Sequence, residues 1–435
     1  MVGSVKNIGR YAKKTALLLL GCLLLCTVAG CGSASGVPAQ KQDSVGLNSM
    51  EDTPIVDYVV PTLTPNILVD QKGYPSGGEK RAAVKGTVVL PESFRLIDSR
   101  TKEVVYTGSI EDAAYDPEMK LYSGYIDFGE FDREGDYYLE CDRIGRSYSF
   151  AIRDALYQEL FWELYEETIA KCEDRTATIQ DAMALLHVYE WQPQVCRDDD
   201  QNEIPDVMEV LAKWVSNVDY NRIDVSEGAV HAAFLAKFSY LYQKYDLDFA
   251  TECLQRASTI FSQTQNTMQE DAYHFYALTE LYRATGLAIY GNQILDYKAY
   301  FEKNSNFLEE TGYLYGAMTY MATRQKVDVE LCALFMDRLL ERGEEIDERS
   351  EDMLCPVSAR NNGAQELLKR SEELVCANYV LGSYQNDCIL EEFLHYLMGC
   401  NIRSVCFYPE EGDPNSYLLL LAQLAGVHKE QNIIP

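Results

Sequence analysis

Cys31 is the residue whose chemistry the sequence marks most clearly. It follows a basic lead and an apolar run at residues 15–30. This run is short for a membrane span, which needs about 20 residues, and is typical of a secretory signal. The segment VAGC at 28–31 matches a bacterial lipobox, in which small residues admit the peptidase and the thiol receives the lipid. We expect lipidation at Cys31 and an extracytoplasmic chain anchored to the membrane; an uncleaved anchor is the alternative.

A set of aromatic residues could bind sugars, because sugar rings present C–H faces to aromatic rings. The set consists of Phe161, Trp162, Tyr165, Tyr189 and Trp191. At helical spacing such residues more often belong to a hydrophobic core. Within the set, Tyr189 and Trp191 are the predicted substrate-binding residues.

Other reactive patterns are weak or missing. The acidic segment RDDDQNE at 197–203 offers oxygen ligands for calcium, although a solvated turn before Pro205 is the simpler interpretation. The sequence has no CxxC pair, and its five histidines are scattered, so a zinc cluster is not expected. No nucleophile elbow, P-loop or dinucleotide fingerprint occurs. We therefore predict no cofactor and no metal.

The charge balance excludes one class of partner. The chain of 435 residues has 38 Lys plus Arg against 68 Asp plus Glu, which gives a net charge of −30. A surface this acidic repels phosphate backbones, so nucleic acid is not an expected partner.

The chain divides by composition into four parts. Residues 1–31 form the predicted signal peptide, and residues 32–63, rich in Gly, Ser, Pro and acids, form a flexible linker. Seven short runs of alternating or β-branched residues follow, separated by Gly, Pro and Asp. They predict an immunoglobulin-like β-sandwich over 64–153.

From residue 154 to about 430 the apolar residues recur at helical spacing. We count about twelve helices and no strand in this region. Twelve consecutive helices joined by short turns predict six antiparallel hairpins closed into an (α/α)6 toroid, with an open stack of helix pairs as the alternative. The absence of a repeat of fixed length weighs against the open stack.

The order of these parts resembles glycoside hydrolase family 9 enzymes that carry an N-terminal immunoglobulin-like domain. The first domain resembles the family in ILVDQKGYPSGGEKRAAVKG (67–86), SFRLIDSRTKEVVYTGSI (93–110) and GDYYLECDRIGRSYSFAIRDALYQEL (135–160). The helical part resembles it in NEIPDVMEVLAKWV (202–215), DAYHFYALTELYRATG (271–286), CANYVLGSY (376–384) and FLHYLMGCNIRSV (393–405). The resemblance covers almost everything after residue 65.

The resemblance implies inverting hydrolysis of β-1,4-linked glucans. Inversion needs a carboxylate base that activates water and a carboxylic acid that protonates the leaving oxygen, about 6.5–9.5 Å apart. The family's base lies in a Gly-rich Asp-Ala-Gly-Asp-Tyr-Gly stretch before the second toroid helix, and its acid is a Glu near the C-terminus.

The resemblance maps both roles onto this chain, but imperfectly. IQDAMALLHVYEWQP (179–193) is similar to the helix after the base motif, which places KCEDRTAT where that motif belongs. This segment has no Gly, and Asp174 is its closest candidate base. Glu411 keeps the family's spacing to Asn415 and is the candidate acid, with Glu410 as its rival. Acidic residues at helix ends are the simpler interpretation of both.

Two functions therefore remain open at this stage. In the first, a reduced but active β-glucan hydrolase uses Glu411 as acid and Asp174 as base. In the second, catalysis is lost and the lipoprotein binds glycan or serves as a scaffold at the cell surface. The missing base motif favours loss of the chemistry, whereas the family resemblance favours β-glucan or a related polysaccharide as the partner.

Overall fold

The computed structural model of this chain describes residues 63–264, 271–353 and 363–431. The predicted signal peptide, Cys31 and all of the predicted linker except Leu63 lie outside the described residues. Among the described helices, none combines the length and the apolar character that a membrane crossing requires.

Nine strands build the first domain. They are β1 (Ile67–Leu68), β2 (Gly73–Pro75), β3 (Arg81–Gly86), β4 (Ser93–Asp98), β5 (Val104–Asp116), β6 (Leu121–Asp127), β7 (Gly135–Cys141), β8 (Gly145–Arg146) and β9 (Phe150–Arg153). Seven of them coincide with the seven predicted runs. The short strands β2 and β8 were not predicted, because two or three residues containing Gly or Pro carry no alternation.

The strands form two sheets that share β5. The order is β1-β3-β6-β5-β4-β7-β9-β2, with β8 on β7. The first half of β5 pairs with β4 and the second half with β6, so one strand passes from one sheet to the other. Alternate residues of both sheets, such as Val84, Leu96, Ile126 and Leu139, share one buried core. The predicted immunoglobulin-like sandwich is confirmed.

Thirteen helices are described after this domain. They are α1 (Leu156–Glu173), α2 (Ile179–Trp191), α3 (Asp206–Asn217), α4 (Gly228–Tyr242), α5 (Leu247–Thr264), α6 (Ala272–Thr285), α7 (Ala288–Asp296), α8 (Lys298–Lys303), α9 (Thr311–Ala322), α10 (Val329–Met353), α11 (Ala364–Leu381), α12 (Asp387–Leu397) and α13 (Pro414–Gln431). The single helix predicted near 293–302 is divided at Tyr297 into α7 and α8.

The helices alternate between an inner and an outer ring. The inner helices are α2, α4, α6, α9, α11 and α13; each contacts the next, and α13 contacts α2, which closes the ring. The sequence explains why a helix lies in the inner or the outer ring. Inner α4 is buried on almost every side, whereas the buried residues of outer α5 recur every three or four positions, from Ala250 to Thr264. The predicted toroid is confirmed, and the open stack is excluded.

The six inner helices run in the same direction. Gly312 near the start of α9 contacts Ala272 at the start of α6, and Glu190 near the end of α2 pairs with Arg283 near the end of α6. All six therefore begin at one end of the ring. We call this end the N-terminal mouth, defined by their first residues: Ile179, Gly228, Ala272, Thr311, Ala364 and Pro414. The opposite end is the C-terminal mouth.

Candidate functional site at the N-terminal mouth

The loops that enter the inner helices place both predicted catalytic carboxylates at the N-terminal mouth. Asp174 follows outer α1 and leads into α2. Glu411 lies in the segment that precedes α13. The toroid thus assigns them to the same end of the ring, as an acid–base pair requires.

Asp174 is an exposed residue at the C-terminal cap of α1. Its backbone N–H donates to Ala170 O at 2.9 Å, and its carboxylate has no hydrogen bond or ion pair in the described part of the chain. The cap of α2 is built from Thr178 and Asp181 instead. Asp181 N donates to Thr178 Oγ1 at 3.2 Å, and Thr178 N donates to Asp181 Oδ2 at 2.7 Å. The segment KCEDRTATIQD therefore ends one helix and caps the next.

Glu411 is also exposed. Its backbone is held, because Glu411 N donates to Phe407 O at 2.7 Å and Tyr417 Oη donates to Glu411 O at 3.1 Å. Its carboxylate has no partner among the described residues. The side chain that caps α13 is Asp413, which accepts from Asn415 N and Ser416 Oγ, each at 3.2 Å. A general acid or base works when neighbouring groups hold it in place, and neither predicted carboxylate is held by a side chain of the described residues.

Sequence reasoning missed the carboxyl group that the mouth does bury, that of Glu372. It lies on α11 with 9% of the residue exposed, and the Tyr315 hydroxyl donates to its Oε1. The signal was present, since Ala364, Leu368 and Glu372 recur at intervals of four on one stripe of α11. Gly412 packs against that stripe, because a Cβ at Gly412 would lie 2.5 Å from Leu368 Cδ1. The stripe therefore faces the segment that carries Asp413.

The surroundings of Glu372 favour its neutral form. Burial raises the pKa of this carboxyl to about 8, and the negative charges of Asp413 and Glu373 add to the effect. Among the described residues, no cation lowers it. Tyr273, half-buried at the start of α6, lies near the same two carboxyls, Glu372 and Asp413, which contribute to the raised pKa of its hydroxyl. The mouth therefore combines one protonated carboxyl with a partly exposed carboxylate.

The predicted sugar-binding residues lie at the other end of the ring. Tyr189 and Trp191 belong to the last turn of α2, a helix of 13 residues, so about 20 Å of helix separates them from the N-terminal mouth. Both are buried. Tyr189 Oη lies 2.9 Å from Tyr245 Oη, and the Trp191 ring is stacked on His187 at 4.2 Å between centroids. The structure does not bring this pair together with Asp174 and Glu411; its role in sugar binding stays a prediction.

An ion cluster lies inside the ring, near the C-terminal ends of α2 and α6. It consists of Glu190, Lys237, Glu280 and Arg283, whose side chains are at most 9% exposed. Arg283 Nη2 lies 2.6 Å from Glu280 Oε2, and both Arg283 and Lys237 donate to Glu190. Burial disfavours the Glu190 carboxylate, but Arg283 and Lys237 outweigh this and hold its pKa well below the usual value. The two carboxylates and two cations of the cluster cancel in charge and pair with one another, which offsets the cost of burying them.

A small cavity adjoins the ion cluster. Its lining includes His187, Trp191, Tyr276, Tyr315 and Tyr379. The free space is about that of one water molecule, so no sugar ring fits inside. His187 Nε2 lies 3.0 Å from Tyr276 Oη, and burial, with Lys237, holds the pKa of His187 well below its usual value. The centre of the ring is thus a packed core, and a glycan can reach only its mouths.

The acidic segment before α3 forms a hydrogen-bonded turn. Carboxylate oxygens of Asp198, Asp200 and Asp206 lie within 4.8 Å of one another. They accept backbone N–H groups of their own loop, such as Glu203 N to Asp198 Oδ2 at 2.9 Å. This arrangement accounts for the segment as a turn.

No described cysteine is in a disulfide, and Cys355 lies outside the described residues.

Comparison with known proteins agrees with this architecture. Residues 62–146 match the family model described as "Cellulase N-terminal ig-like domain". A metagenome-derived glycoside hydrolase family 9 endoglucanase is similar in structure, with a TM-score of 0.63, 17% identity, and coverage of 80% of this chain and 85% of that one. A Bacteroides ovatus family 9 protein has a TM-score of 0.61 at 13% identity, with 83% and 98% covered.

A third solved structure, AaCel9A in complex with cellobiose-like isofagomine, has a TM-score of 0.59, 14% identity, and coverage of 80% of this chain and 85% of that one. A search of curated sequences finds no relative that matches. The chain therefore has the two-domain fold of glycoside hydrolase family 9 endoglucanases with an N-terminal immunoglobulin-like domain, and the resemblance found in the sequence is confirmed at the level of fold.

Proposed function

We propose that this chain is a lipid-anchored surface protein that binds β-1,4-linked glucan across the N-terminal mouth and does not hydrolyse it with Asp174 and Glu411. One observation carries the proposal. The fold is that of endoglucanases, while both carboxylates in the expected catalytic positions are exposed and held by no side-chain partner in the described residues. Glucan as the partner is supported by the similar structure that holds a cellobiose-like compound.

The anchoring part of the proposal rests on the sequence. The lipobox at 28–31 supplies the cysteine that takes the lipid, and residues 32–63 have the composition of a flexible tether. A tether of this kind gives the mouth access to polysaccharide outside the cell while the chain stays on the membrane.

Loss of hydrolysis through the predicted pair follows from how inversion works. The base must deprotonate a water molecule that lies between it and the sugar, which requires a carboxylate held at a fixed distance from the acid. The chain lacks the Gly-rich motif that would hold the base, and Asp174 sits at a helix end with a free carboxylate. An exposed carboxylate that has no side-chain partner among the described residues is a poor general base.

Hydrolysis with a different acid is the second candidate, and Glu372 is the observation that favours it. A carboxyl with a pKa of about 8 is protonated at neutral pH and can donate its proton to a leaving glycosidic oxygen. Asp413 on the adjoining segment would accept the proton of the attacking water.

The test uses the mature chain from residue 32 onward and a panel of soluble β-glucans. Calorimetry measures binding, and a reducing-sugar assay measures hydrolysis. Four proteins are compared: the parent chain, Glu411→Gln, Glu372→Gln and Asp248→Asn. The last is the control, because exposed Asp248 lies in the first turn of outer α5, at the C-terminal mouth.

Binding without release of sugar, unchanged in Asp248→Asn, is the expected result. Release that is lost in Glu372→Gln and kept in Glu411→Gln would establish the second candidate instead. Release lost in Glu411→Gln would contradict the proposal and restore the predicted acid. A parent chain that binds no β-glucan would overturn both candidates.

A further inference from the structure

The segment between α12 and α13, residues 398–413, is held by the immunoglobulin-like domain. We call it the mouth segment, since it carries Glu411 and Asp413 to the N-terminal mouth. Gln71 N donates to Met398 O and Gln71 Nε2 donates to Ser404 O, both at 2.9 Å. Lys85 Nζ donates to Ile402 O. A backbone N–H, an amide side chain and a lysine of one domain thus donate to three backbone carbonyls of the other.

A buried ion pair lies beside these hydrogen bonds. His395, in the last turn of α12, has Nδ1 at 2.8 Å from Asp70 Oδ2. Asp70 is 1% exposed and His395 8%. The other oxygen of Asp70 accepts Lys72 N at 2.8 Å and Gly73 N at 2.9 Å, which fixes the carboxylate. The Tyr74 ring packs on the imidazole at 4.9 Å between centroids. The pair therefore has one defined geometry.

The groups that face this imidazole favour its charged form. Burial alone would lower the pKa of His395, but Asp70, with Glu391 and Glu392 of its own helix, raises the pKa above its ordinary value. The other titratable neighbours stay neutral near pH 7. Burial raises the pKa of Cys400 to about 12 and that of Tyr74 well above its usual value. Burial, with the negative charges of Glu391 and Asp70, likewise raises the pKa of Tyr157 of α1 well above its usual value.

Two backbone hydrogen bonds connect the end of α12, which carries His395, to Glu411 in the mouth segment. Phe407 N donates to Leu397 O, two residues beyond His395, at 2.7 Å, and Glu411 N donates to Phe407 O at 2.7 Å. Gly399 also fits closely: its φ is +125°, and a Cβ there would lie 2.4 Å from Gln71 Nε2. Backbone hydrogen bonds and close packing therefore join the end of α12, the mouth segment and the turn at Asp70.

We propose that the Asp70–His395 pair is a positioning device, through which the immunoglobulin-like domain orders the mouth segment while His395 is protonated and releases it when His395 is neutral. The sign follows from linkage. A histidine whose pKa is raised by folding contributes stability that is complete below its unfolded pKa, near 6.5, and is lost as the pH rises through its folded value. The mouth is thus ordered in mildly acidic surroundings and loosened in alkaline ones.

Hydrogen exchange of the mouth segment tests this without any ligand. Peptides from residues 398–413 of the mature chain are followed from pH 5.5 to 8.5, after correction for intrinsic exchange rates. We expect protection to fall about tenfold across this range as His395 loses its charge. A peptide from outer α5, Leu247–Thr264, serves as the internal control and keeps its protection.

Asp70→Asn is the matched variant. Its amide oxygen still accepts Lys72 N and Gly73 N, and its amide nitrogen donates to neutral His395, so the contact persists without charge. We expect protection in this variant to be independent of pH. His395→Gln serves the same purpose if Asp70→Asn does not fold. A parent chain with pH-independent exchange, or an unchanged pH dependence in the folded variant, would overturn the proposal.

An effect of the Asp70–His395 pair on glucan binding rests on the proposed function. The experiments distinguish a failure of the proposed function from a failure of the positioning device. If the mouth binds glucan, affinity in the parent chain falls over the same pH range, and Asp70→Asn removes the fall. If no glucan binds, the proposed function fails while the exchange result stands. Glucan binding with pH-independent exchange would refute the positioning device alone.

Discussion

Two buried glutamates show how surroundings decide the state of one side-chain type. Glu190 and Glu372 both lie on inner helices and are nearly inaccessible to solvent. Arg283 and Lys237 outweigh burial and hold the pKa of Glu190 well below its usual value, whereas burial, with the charges of Asp413 and Glu373, raises the pKa of Glu372 to about 8. One carboxyl is therefore charged and the other neutral at pH 7, because only one has cationic partners among the described residues.

Replacing Glu372 by Gln should stabilise the chain at alkaline pH. A carboxyl whose pKa rises on folding, here from 4.5 to about 8, makes the fold less stable as the pH rises between those values. Gln keeps the acceptor for the Tyr315 hydroxyl and cannot ionise. We expect Glu372→Gln to raise the free energy of unfolding by about 2–5 kcal/mol above pH 8 and to leave it unchanged below pH 4.5. Urea unfolding at pH 4, 6 and 9 measures this; equal stabilities at pH 9 would contradict it.

At the scale of elements, the inner ring depends on close approach of its helices. Gly312, the second residue of α9, has no room for a side chain, since a Cβ would lie 2.4 Å from the backbone carbonyl carbon of Ala272. The starts of α6 and α9 can meet only because this position has no Cβ. Sequence alone indicates a helix with a Gly near its start, but not the backbone that it contacts.

Substituting Gly312 by Ala should therefore push α6 and α9 apart. We expect a loss of about 1–3 kcal/mol in the free energy of unfolding, as for other overpacked sites. Gly343→Ala on outer α10 is the control, because a Cβ at Gly343 meets no atom within 4 Å. Ala in an exposed helix should add up to about 1 kcal/mol. Thermal melting shows whether each substitution stabilises or destabilises the chain. A lower melting temperature for Gly343→Ala, or an unchanged one for Gly312→Ala, would contradict this account.

At the scale of the whole molecule, an acidic two-domain body is predicted to be tied to the membrane through its N-terminus. The net charge of −30 of the whole chain opposes association with anionic surfaces. We predict that a lipid on Cys31 supplies this attachment.

Cys31→Ala should abolish lipid attachment. Bacteria that express the parent chain and are fed radiolabelled palmitate should yield a labelled protein in the detergent phase, and the variant should carry no label. Cys26→Ala is the control, because Cys26 is removed with the predicted signal peptide and its loss should leave labelling intact. An unlabelled parent chain that stays in the membrane would favour the uncleaved anchor.

Much of the fold could be predicted from the sequence. Alternation with Gly, Pro and Asp turns determined the seven main strands, and helical spacing gave nearly every helix within a few residues, because these patterns reflect one buried face per element. The sequence also marked the lipobox and the missing base motif, since both are contiguous motifs. It could not show β2, a strand of three residues that exists only through its pairing with β9.

Only the tertiary structure decided what the candidate site contains. Asp174 and Glu411 are far apart in the sequence, and the direction of the inner helices placed them at one mouth and Tyr189 and Trp191 at the other. Glu372 became a candidate only when α11, Tyr315 and the mouth segment met around it. Asp70 and His395, 325 residues apart, became partners only when the two domains packed together. Local patterns report which face of an element is buried, whereas a site depends on which elements meet.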